Sequence, residues 1–100
     1  MLNTISLDLQ NAIHEVNDAR EHYYYTKFEN EAAWNDYSNH VDQDPRWENP
    51  DPTDAEMEAY RNRLSELLVW AEIAEKEWKD AWHRLDKAKA NLLKLQEEGK

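Results

Sequence analysis

Residues 41–53 read VDQDPRWENPDPT. Pro45, Pro50 and Pro52 fall within eight positions, and Pro50 and Pro52 also push Asn49 and Asp51 out of helical geometry. Residues 41–52 are therefore a loop that divides the chain into two arms. Directly after it, Thr53 and Glu56 have capping-box spacing. The Thr hydroxyl accepts from the Glu56 amide while the Glu side chain returns to the Thr53 amide. Asp54 adds charge favourable to a helix N-terminus. A helix starts at about residue 53.

Outward from the loop, both arms carry a heptad pattern. In the second, Met57, Tyr60, Leu64, Leu67, Ala71, Ala74, Trp78, Ala81, Leu85, Ala88, Leu92 and Leu95 alternate steps of three and four without exception. Such steps keep one seam facing a partner helix. Gly99 is a plausible stop signal. The first arm has the same period through Leu2, Ile5, Leu9, Ala12, Val16, Ala19, Tyr23, Thr26, Asn30, Ala33, Tyr37 and His40, with Thr26, Asn30 and His40 as polar interruptions. The expected fold is all-α: an antiparallel two-helix coiled-coil hairpin in a single domain over residues 1–100, with helices at about 4–40 and 53–97.

Folding the chain about the middle of its loop gives opposed residues whose numbers sum to about 94. That register sets Val16 against Trp78 and Tyr23 against Ala71. Beside the seam it pairs Asp8 with Arg84, Glu29 with Arg63, Arg20 with Glu75, Ile13 with Trp82 and Trp34 with Arg61, while Glu15 meets Glu77 unfavourably.

The composition agrees with an extended helical protein. The chain is 34% charged, has one glycine and no cysteine, and has a mean hydropathy of -1.12. That glycine count argues against a sheet protein, and the missing cysteines exclude disulfides and thiolate metal sites. No apolar run is long enough for a bilayer and the N-terminus has no signal-peptide pattern, so a cytoplasmic protein without membrane contact is expected. The net charge of -10 argues against direct nucleic-acid binding. Residues 36–58 hold eight acidic residues against Arg46 alone, whereas residues 76–100 hold seven basic and five acidic ones.

One seam does not use all the apolar side chains. Ile13, Tyr24, Trp34, Leu68 and Trp82 belong to one flank, Tyr25, Ala32, Trp70 and Ile73 to the other, and Phe28 and Val69 to outer positions. Self-association into a dimeric four-helix bundle would hide them, and a partner site would use them as interface anchors. Trp47 poses the same question inside the loop: it either folds back near Tyr37, Met57 and Tyr60 or stands out among carboxylates.

Catalytic apparatus is not apparent. Glu15 and Asp18, with Glu77 and Asp80, form an acidic constellation able in principle to hold Mg²⁺, as in all-helical nucleotide pyrophosphatases, but that motif and spacing are absent. His14, His22, His40 and His83 lack zinc-helix spacing. The run Asp42, Asp44, Arg46, Glu48 fails as a calcium loop because Arg46 takes a ligand position and Trp47 the glycine position. No cofactor is expected.

The function expected is therefore non-enzymatic protein–protein interaction. Asp42, Asp44, Trp47, Glu48, Asp51 and Asp54, together with Tyr24, Tyr25, Phe28 and Trp70, are the candidate contacts with a basic protein surface, in a chain expected to be a homodimer. In build alone, it is comparable to small acidic phage inhibitors of host nucleic-acid machinery, including anti-restriction and anti-CRISPR proteins. The alternatives are a structural coiled-coil adaptor and, more remotely, a Mg²⁺-dependent nucleotide pyrophosphatase.

Overall fold

The computed structural model describes residues 6–99, so Leu2 and Ile5 of the expected seam lie outside the described residues. Helix α1 spans Leu7–Val41, a one-turn 3₁₀ helix η1 spans Pro45–Trp47, and helix α2 spans Asp54–Glu98. At 1.5 Å per residue the two arms are about 52 and 68 Å long. They pack antiparallel into a rod of 80 × 15 × 15 Å. Its radius of gyration is 22.4 Å, where a compact chain of this length would have about 13 Å.

Local chemistry sets the helix ends. Ser6 caps α1 by accepting from the Leu9 amide at 3.1 Å. Thr53 caps α2 by accepting from the Glu56 amide at 3.1 Å. The Glu56 carboxylate completes this cap differently from expectation, taking the Thr53 hydroxyl hydrogen at 3.1 Å instead of the Thr53 amide. Gly99 ends α2 in the right-handed region, its amide donating to Leu95 O.

Every described seam position of both arms is buried or half-buried. The core is narrow and rich in alanine: Ala12, Val16, Ala19, Ala71, Ala74, Ala81, Leu85 and Ala88. Val16, Ala19, Leu85 and Ala88 form one cluster, with Tyr23 and Leu92 packed against it. Small residues let helix axes approach closely. Buried Thr26 is satisfied within its own helix, its hydroxyl lying 2.9 Å from His22 O and 3.0 Å from Tyr23 O.

The register differs from the expected one. Tyr23 packs on Trp78 and His40 stacks on Tyr60, pairs whose numbers add to 101 and 100, so the arms are offset by about one heptad from a sum of 94. The expected ion pairs move with it. Arg84 binds Glu15 instead of Asp8, Arg63 binds Glu66 along its own helix, and Glu75 lies 3.9 Å from Lys79. Trp34 meets Tyr37 edge-on, and Trp82 stacks on His83.

A heptad offset leaves every seam residue in the seam, so periodicity cannot detect it. Two features select the observed alignment. It sets Thr26 and Asn30 level with Ala74 and Ala71, where a sum of 94 would press them on Leu67 and Leu64. It also gives His40 a partner, since at the other register His40 would face the start of α2. The loop makes the offset possible: its first half runs on beyond α1 as η1, which rests against α2, before the chain reverses near Asn49–Pro52.

Candidate functional site

The loop end is built on a polar lock at its base. The His40 ring stacks on Tyr60 with centroids 4.8 Å apart, and its Nε2 lies 3.1 Å from Tyr60 O. A carbonyl only accepts, so Nε2 carries the hydrogen. The Tyr60 hydroxyl donates in turn to Val41 O at 3.2 Å, satisfying a carbonyl at the end of α1. Burial, together with the charge of Asp44, pushes the Tyr60 phenol up from its ordinary range.

Asp44 then organises η1. Its carboxylate accepts from the Arg46 backbone amide at 2.9 Å and is gripped by the Arg46 guanidinium from the side. These hydrogen bonds hold the Asp44 carboxyl below the usual carboxylate range and raise Arg46. Asn49 closes the next turn, its side-chain oxygen accepting from the Asp51 amide at 3.0 Å.

The consequence for charge is specific. Arg46 is the basic residue of the loop, and it is taken up by Asp44. Asp42, Glu48, Asp51 and Asp54 are exposed and form no ion pair among the described residues. Trp47 stands beside a shallow recess lined by Asp44 and Arg46 and is 79% exposed. It does not fold back onto Tyr37, Met57 and Tyr60.

The other candidate contacts lie elsewhere. Tyr25, Phe28 and Trp70 are exposed near mid-rod, about 30 Å from the loop end by helical rise. On one flank the observed register sets Ala32 about level with Trp70, with which it lines a groove, and Tyr25 within about one helical turn of Ile73. Tyr24 lies beyond Phe28 towards the opposite flank, its ring edge-on to Tyr23 at 5.3 Å. Sequence reasoning assigned these flanks and aligned them at a register one heptad away from the observed one. It also missed Arg84 as a junction: its guanidinium forks onto Glu15 at 2.8 and 3.1 Å and reaches His22 Nδ1 at 3.4 Å.

The acidic constellation of Glu15, Asp18, Glu77 and Asp80 does not assemble, because the heptad offset puts Arg84 opposite Glu15. Among the described residues no three His, Asp or Glu side chains converge as metal ligands. No helix among the described residues is long and apolar enough to cross a membrane. Comparison with family models, curated proteins and solved structures returns no match.

Proposed function

We propose that the chain is a non-enzymatic interaction module whose loop end docks on a basic, nucleic-acid-binding surface of another protein. The observation that carries this reading is Trp47, 79% exposed beside the Asp44–Arg46 pair, in a loop whose Asp42, Glu48 and Asp51 are exposed and form no ion pair among the described residues. An exposed tryptophan is an anchor in search of a pocket, and the acids around it select the sign of the pocket's rim. Charge is concentrated towards this end. Residues 27–75 hold four basic and thirteen acidic residues, against seven and nine in residues 6–26 and 76–99 together. Carboxylates on a rigid rod can occupy a channel built for phosphates, so the module would act as a competitive inhibitor of a nucleic-acid enzyme, of the anti-restriction or anti-CRISPR kind.

The test is capture from a lysate of the source cells by the wild type, by Trp47→Ala, and by a variant with Asp42, Glu48, Asp51 and Asp54 changed to Lys. The reading requires a basic partner that both variants lose, that salt elutes steeply, and that DNA or RNA displaces. Retention of the same partners by all three proteins would overturn it.

A further inference from the structure

We infer that the mid-rod flank carrying Tyr25, Ala32, Trp70 and Ile73 is the seat of a second copy of this chain, joined antiparallel about a two-fold axis. The two flanks of the hairpin differ in how far their apolar groups are already covered. On one, Ile13, Trp34 and Leu68 are half-buried, and the two exposed groups, Tyr24 at 60% and Trp82 at 48%, each pack against a neighbouring ring, Tyr23 and His83. On the other, Tyr25 and Trp70 are each 65% exposed and Ile73 is 46% exposed, with Phe28 and Val69 open at the margins. Between the arms on this flank runs a groove lined by Glu29, Ala32, Ala33, Leu67 and Trp70. Single exposed apolar residues are ordinary, but in this belt Ala32 and Trp70 share one groove across the arms, with Tyr25 and Phe28 on the preceding turns of α1 and Ile73 on the next turn of α2.

Area indicates the size of the occupant. The chain exposes 8003 Å², whereas a compact monomer of its mass would expose about 6,000 Å². An interface of standard size buries about 1,200–2,000 Å² in total. A second rod laid along this one supplies a cover of the right length and shape.

Position and charge indicate the symmetry. The belt lies near the middle of the rod, so a two-fold axis through it sets belt on belt while the two rods overlap along their length. A parallel pair would stack one acidic loop half on another, each with a net charge of -9 over residues 27–75. The antiparallel pair sets that half against the partner's terminal half, where residues 6–26 and 76–99 sum to only -2 and carry Lys87 and Lys94 outside any ion pair among the described residues. The resulting four-helix assembly leaves both loop ends free at opposite extremes. This assembly stands whatever the loop ends bind.

Sedimentation velocity tests the mass, which should be twice 12.0 kDa for the wild type. Trp70→Glu, at an exposed position, should return the protein to 12.0 kDa with unchanged helicity by circular dichroism. The natural sequence has no cysteine, so single cysteines report geometry without background. Ile73→Cys, near the axis, should close a disulfide between copies on mild oxidation, and Glu48→Cys at the loop should not. A wild type that stays monomeric at its highest soluble concentration would overturn the inference. So would a dimer that survives Trp70→Glu, or one cross-linked through Glu48→Cys.

Discussion

Glu15 and Arg84, sixty-nine positions apart in sequence, form a two-pronged ion pair that bridges the arms at 2.8 and 3.1 Å. The pair records the alignment of the hairpin: Arg84 would meet Asp8 if the arms slid by one heptad. Cysteine pairs can read that alignment directly. Ala19 and Ala81 are buried and level in the observed register. Ala19→Cys with Ala81→Cys should oxidise to an intramolecular disulfide. Ala12→Cys with Ala81→Cys should not, because the offset separates them by about 10 Å, beyond disulfide reach. The opposite pattern, read by mass spectrometry of the non-reduced monomer, would place the arms at the alternative register.

The same pair makes a pH prediction. Its hydrogen bonds from Arg84 hold the Glu15 carboxyl below the ordinary glutamate range. A carboxylate with a depressed native pKa stabilises the fold above its unfolded pKa, and that contribution disappears as pH falls through the depressed value. Wild type should therefore melt above Glu15→Gln at neutral pH. The gap should close below about pH 4. Both groups are well exposed, so the gap should also shrink in high salt. A gap independent of pH and salt would mean that Glu15 acts through packing instead.

How much of this was legible before the structure is clear from individual residues. The seam was legible from Leu9 to Leu95, because a step pattern of three and four has one geometric meaning on a helix. The loop was legible from Pro45, Pro50 and Pro52. The register was not, since sliding by seven residues preserves the seam, and the discriminating contacts involve Thr26, Asn30 and His40, polar residues that read as mere interruptions. The exposure of Trp47 depends on whether η1 turns its ring inward, which composition does not encode. The belt of Tyr25, Trp70 and Ile73 was legible as a flank; what the register changes is which residue sits across from Trp70, Ala32 rather than Tyr25.

The core, though narrow, should dominate stability. Leu85 is 6% exposed and belongs to the central cluster with Val16. Leu85→Ala should cost about 2–5 kcal/mol in chemical denaturation. Leu93, two turns further on but 57% exposed, should cost within about 0.5 kcal/mol when changed to Ala. Equal losses at the two positions would show that the seam is misplaced.

Among the described residues, two covered polar side-chain atoms in the seam find no partner: Trp78 Nε1 and Asn30 Oδ1. An unmatched buried donor costs about 1–3 kcal/mol, which offsets much of what the indole contributes by burial. Trp78→Phe removes that donor while keeping a ring against Tyr23, and it should change stability by less than Leu85→Ala does. Asn30→Leu should raise the melting temperature outright. In exchange it should loosen the register, since Asn30 disfavours a slide that would set it on Leu64. The cysteine pairs described above measure this: in the Asn30→Leu background the Ala12–Ala81 pair should begin to cross-link. If Asn30→Leu both stabilises the hairpin and leaves that pair unreactive, Asn30 has no part in choosing the alignment, and the loop alone must set it.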